Sequence, residues 1–228
     1  MTYPSQFYRN NALLGLASTI SLILSFWVIR TVLNLESVFE PIQSAPPPPE
    51  SRHPWMFMAW LWIYIPSFLL PLIFAHNTIS LFIPPNAHFS RQIFLVLIQA
   101  AGVLGVVGTL LALTTGIYRD LEPLLSVIHP IRYVNYISYH LILSHVVGGF
   151  GLVTYQHRSL PRPLSGLALL VSILGCLLFI QGVAQGQGEA LYLIVLIILN
   201  GAFVVVMAAY QALLWQSQLQ LDSQSRTR

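Results

Sequence analysis

From residue 92 to residue 118 the chain carries no charge at all, and the same holds for residues 12–29 and 190–215. A hydrocarbon layer about 30 Å thick is crossed by roughly 20 helical residues at 1.5 Å each, and it tolerates no stranded backbone donor or acceptor. Runs of this length and character therefore restrict the chain to membrane-spanning helices. Composition agrees: 56% of the residues are apolar and 7% charged, with a mean hydropathy of +0.72, where an ordinary soluble domain is about 25% charged.

Six such runs can be drawn, at residues 12–35, 55–76, 92–118, 133–157, 163–184 and 190–215. They predict an all-α polytopic membrane protein, a six-helix bundle forming one domain over residues 12–215. Residues 1–11 read as a polar head, 36–54 as a proline-rich outer loop, and 216–228 as a polar tail without fixed structure. The first run is longer than the apolar core of a cleaved signal and ends in VIRTVLNLE, so it is expected to stay as a helix. The loop holds SAPPPPESRHP, whose four consecutive prolines favour extended polyproline geometry, either a stiff spacer or a docking segment.

Six crossings place both ends on one side. Arg9, Arg91, Arg158, Arg162, Arg226 and Arg228 fall on that side, and Arg30, Arg52, Arg119 and Arg132 on the other. The bias predicts an N-in, C-in orientation in a plasma membrane or an internal energy-transducing membrane. The arginines are scattered singly, which speaks against a nucleic-acid partner. The expected partners are the lipid bilayer and either other membrane subunits or further copies of the chain. Cys176 is the only cysteine, so no internal disulfide can form.

Small residues mark where helices approach. Ala101, Gly105, Gly108, Ala112 and Gly116 keep one stripe of the third helix free of bulk, and Ser165, Ala168, Ser172 and Gly175 repeat the theme in the fifth. Third and fifth helices are thus expected to be neighbours. Ser18, Ser21 and Ser25 share a face of the first helix. Pro66 and Pro71 each remove a backbone donor from the second, and Pro130 is expected to limit the fourth.

The fourth run, YVNYISYHLILSHVVGGFGLVTYQH, holds the two histidines placed inside an apolar span, His140 and His145. Five residues apart on a helix, they point about 140° away from one another and cannot share one ion. Asn135, Ser138, His145, Gly149 and Gln156 line one face; Tyr133, Tyr136, His140, Ser144 and Gly151 line another. The first face combines small and amide groups and is read as the interior one, since polar groups within a membrane normally face the bundle. The expected pocket joins His145, Ser138, Asn135 and Gly149 with Asn200, Ser172 and Ser67 near the midplane.

A transport-type or accessory membrane subunit is the function this pattern favours. No Asp or Glu lies inside a span, so the usual carboxylate relay of a proton-driven pump is missing. The competing reading is a tetrapyrrole-binding subunit of an electron-transfer or photosynthetic complex, carrying haem or chlorophyll on His140 or His145. His76, His157 and His88, near one membrane edge, are further candidate ligands for a tetrapyrrole or a metal, although histidines at helix C-termini are also favoured by the helix dipole. Catalysis is not favoured: neither HExxH nor GxSxG occurs.

Overall fold

The structure is a computed structural model that describes residues 5–31, 54–117, 122–185 and 189–226. Among these residues there are six α-helices and no strand: α1 (Ser5–Thr31), α2 (Pro54–Phe82), α3 (His88–Ile117), α4 (Glu122–His157), α5 (Arg162–Gln185) and α6 (Glu189–Arg226). Five of them, α2 to α6, contain stretches long and apolar enough to cross a membrane. The molecule is an all-helical bundle of the integral membrane type. The proline-rich loop expected at 36–54 lies outside the described residues except for Pro54, which opens α2.

Each helix packs against the next in sequence, and α6 returns to pack against α1, which closes a ring. Short connections between long helices leave antiparallel neighbours as the natural outcome. At two of these connections the stop signal is visible. Pro84 and Pro85 end α2 and open a short 3-10 turn, Pro85–Ala87, because proline cannot continue the hydrogen-bond ladder. Between α4 and α5, Arg158 takes a positive φ of 53° and the Ser159 amide donates back to the Thr154 carbonyl at 3.2 Å. That is the cap normally closed with glycine in the left-handed position.

Helix limits differ from the sequence expectation in three places. α2 continues past His76 to Phe82, because Thr78 is buried between helices and the first breaker is Pro84. α4 begins at Glu122, so Pro130 lies inside it; one missing donor is tolerated in a membrane helix whose neighbours re-satisfy the backbone. α6 runs beyond Trp215 to Arg226, so the polar tail is helical up to that residue instead of unstructured.

Neighbours also differ. α3 and α5 do not form a packed pair; α4 lies between them, taking the small-residue stripe of α5 and sharing that of α3 with α2. Ala101 is fully buried, and a Cβ at Gly105 would sit 2.5 Å from the Phe68 ring. On the other flank a Cβ at Gly151 would meet the Ala168 Cβ and the Ser165 carbonyl, each at 2.8 Å, and the Thr154 and Ser165 hydroxyls bond at 3.0 Å. The reason is numerical: two stripes of equal character do not say whether they face each other or a common third helix. Ser18, Ser21 and Ser25 are all buried, as their shared face implies.

At the end of the bundle shared by residue 11 and residue 211 lies an interhelical clamp. Asn11 Nδ2 donates to Thr78 Oγ1 at 3.1 Å and to Gln211 Oε1 at 2.8 Å, while Gln211 Nε2 donates to Thr78 Oγ1 at 3.1 Å. The three residues, from α1, α2 and α6, are 2%, 4% and 0% exposed. Gly15, one turn along α1, lets the Phe74 ring and Ala208 approach to within 2.8 and 2.9 Å of where its Cβ would stand. Arg9 lies over the Trp215 ring at 5.9 Å, at the same end. The first and last helices are therefore antiparallel neighbours, with residues 11 and 211 level with one another.

Candidate functional site

In the half of the bundle formed by α1 to α4 the apolar packing opens into a cavity of about 30 Å³, lined by polar groups from two helices, Ser67 of α2 with Asn135 and His140 of α4. All three are buried, His140 to 6% exposure. Two glycines of α3 make the space. Gly105 admits the Phe68 ring, and Gly108 admits the Asn135 amide, whose Nδ2 lies 2.8 Å from where a Cβ would be. That amide is held by a 2.8 Å bond to the Leu104 carbonyl.

The backbone of α2 is opened at the same level. Pro71 has no N–H for the Ser67 carbonyl one turn earlier. Beside it the Tyr139 hydroxyl donates to the Phe68 carbonyl at 2.9 Å, and the Phe68 and Tyr139 rings meet edge to face at 6.4 Å. The His140 ring stands perpendicular to that of Tyr139 at 4.9 Å. Proline, tyrosine and glycine thus cooperate to place one imidazole, one amide and one hydroxyl around a small void inside apolar surroundings. At roughly 10–15 Å³ per water centre, the void has room for about two or three water molecules. It is about a tenth of the smallest sites that take drug-sized ligands.

The structure divides the residues expected to form one pocket. Ser67 and Asn135 meet there, joined by His140 and not by His145. His145 is exposed on the outside of α4, its Nδ1 2.7 Å from the Leu141 carbonyl. Ser138 donates to the Val134 carbonyl at 2.8 Å on the same outer side. Gly149 packs on the Phe94 ring, and Ser172 of α5 packs against Gly148. Asn200 is buried on α6, and neither atom of its amide has a hydrogen-bond partner among the described residues.

The face of α4 read as interior is therefore the wrong one at His145. α4 touches α3, α5 and α6, and reaches α2 through Tyr139, so most of its circumference is covered. Among the described residues one exposed strip remains, and it passes through Val134, His145 and Leu152. Asn135 escapes because it stands about 80° around the helix from His145.

His76, His88 and His157 are exposed. Among the described residues no group of three His, Cys, Asp or Glu side chains is close enough to hold a metal ion. A flat cofactor lying against the glycines of α3 and α4 would meet side chains there: the space at Gly105 is filled by Phe68 and that at Gly149 by Phe94. The clamp of Asn11, Thr78 and Gln211 is not among the sequence expectations, although Gln211, which with Asn200 makes the two amides of the uncharged run 190–215, is the signal that points to it. Comparison with protein-family models, with curated proteins and with solved structures finds no match to this chain.

Proposed function

We propose that the chain is a six-span membrane protein, N-in and C-in, with a transport-type or accessory role centred on the pocket at His140. As the sixth crossing, α1 presents Leu13, Leu16, Ile20, Ile23 and Leu24 outward and its serines inward, the pattern of a membrane helix at a packed interface. Arginine bias supports the orientation, and the pairing of Asn11 with Gln211 fits ends that share a side.

The single observation that carries the reading is the water-sized void bounded by Ser67, Asn135 and His140 in the middle of apolar helices. Imidazole, amide and hydroxyl together offer donors and acceptors but no fixed charge, which suits a neutral polar solute the size of water or ammonia. A tetrapyrrole held inside the bundle is the weaker reading, because phenylalanine rings occupy the space it needs.

The test is solute flux into proteoliposomes followed by stopped-flow light scattering. Water and ammonia are expected to equilibrate faster than in empty liposomes, urea no faster, and His140→Phe, which fills the void, to remove the difference. Permeability equal to that of empty liposomes would remove the transport role and leave the pocket as packing.

A further inference from the structure

His145 stands on the exposed strip of α4 within the membrane-crossing stretch Ile137–His157. Its Nδ1 lies 2.7 Å from the Leu141 carbonyl. A carbonyl only accepts, so Nδ1 carries the proton, and in the neutral ring Nε2 keeps its lone pair. A ring nitrogen tied to a backbone carbonyl, with the other left as a ligand, is the arrangement that orients metal-binding histidines and raises their basicity. Among the described residues no hydrogen bond to Nε2 is found. The exposed side chains before and after it on that strip of α4, Val134 and Leu152, are aliphatic, and the Ser138 hydroxyl on the same side is turned to the Val134 carbonyl. In hydrocarbon no water is at hand to satisfy that lone pair.

One neutral nitrogen on an aliphatic surface cannot hold a bare cation, which asks for three or four protein ligands; none are grouped among the described residues. It does suit a metal whose remaining positions are already filled by four ring nitrogens, because such a centre needs a single axial ligand and an apolar surface for its macrocycle. We infer that His145 is the axial ligand of a metallo-tetrapyrrole bound on the outer surface of α4. The site is independent of the pocket at His140, which lies about 140° around the same helix.

The test uses the full chain in lipid nanodiscs, titrated with zinc protoporphyrin, whose Soret band moves to the red when a fifth ligand binds. The wild-type chain is expected to give a saturable shift at one porphyrin per chain, His145→Leu to lose it, and His88→Ala and His157→Ala to keep it. Metal-free protoporphyrin is expected to give no saturable change, which separates ligation from partition into lipid. The inference is overturned if the wild-type chain gives no shift, if the shift survives His145→Leu, or if the metal-free ring binds as well. It is equally overturned if His145→Leu instead dissociates an oligomer, since the strip is then covered by protein.

Discussion

Replacing Gln211 with methionine keeps the length and bulk of the side chain but removes its amide from the clamp. Two hydrogen bonds disappear, Asn11 Nδ2 to Gln211 Oε1 and Gln211 Nε2 to Thr78 Oγ1. Side-chain hydrogen bonds between membrane helices are worth about 0.6 kcal/mol each on average. The larger loss is that one Asn11 N–H is left buried without a partner, which costs about 1–3 kcal/mol. Gln211→Met is therefore expected to destabilise the bundle by about 2–4 kcal/mol.

Adding Asn11→Ala should recover part of that loss. The second change gives up the remaining bond to Thr78, but it removes the stranded N–H and also Asn11 Oδ1, which is buried and has no hydrogen-bond partner among the described residues. The double variant is expected to be more stable than Gln211→Met alone by about 1 kcal/mol or more, a coupling within the range seen for contacting residues. Unfolding in lipid bicelles by steric trapping measures all four corners of the cycle. Strict additivity, with the double variant below either single one, would refute the reasoning that an orphaned amide dominates the cost.

Glycine positions make an opposed pair. Gly151→Ala drives a Cβ into Ala168 and the Ser165 carbonyl and should cost about 1–3 kcal/mol, whereas Gly166, with open space where its Cβ would be, should gain about 0.5–1 kcal/mol as alanine. Equal effects in a thermal melt would count against the α4 and α5 contact. Arg158→Gly removes a left-handed arginine and is expected to stabilise by about 0.5–1 kcal/mol, read from the same melt; a loss of stability would mean that the side chain contributes more than its backbone strain costs. Reporter tags at the two ends should report from the same compartment, and opposite compartments would leave an odd number of crossings.

The membrane character was legible without coordinates because it depends on sums. Long uncharged runs between residues 92 and 118, or 190 and 215, have no other stable solvent. α4 ends where its apolar run does, at His157, whereas α2 runs on through Thr78, a polar residue that reads as loop until its burial between helices is known. Of the residues expected around a pocket, Ser67 and Asn135 line the cavity, whereas His145, expected inside, is exposed, and His140, expected only as an alternative ligand, lines the cavity. A helical wheel ranks faces by polarity. On α4 both faces carry a histidine, serine or asparagine, and glycine, so polarity could not choose between them.

What the amino-acid order determined alone was the medium and the presence of long apolar helices, since each is a property of a segment and its own backbone. Which helix lies beside which was decided by tertiary structure. α4 took up the small-residue stripe of α5 and shared that of α3 with α2, Phe68 and Phe94 filled the gaps at Gly105 and Gly149, and Asn11 reached Gln211 at the opposite end of the chain. Close packing in lipid rests on shape and on a few buried hydrogen bonds between distant residues, and neither is written in local periodicity.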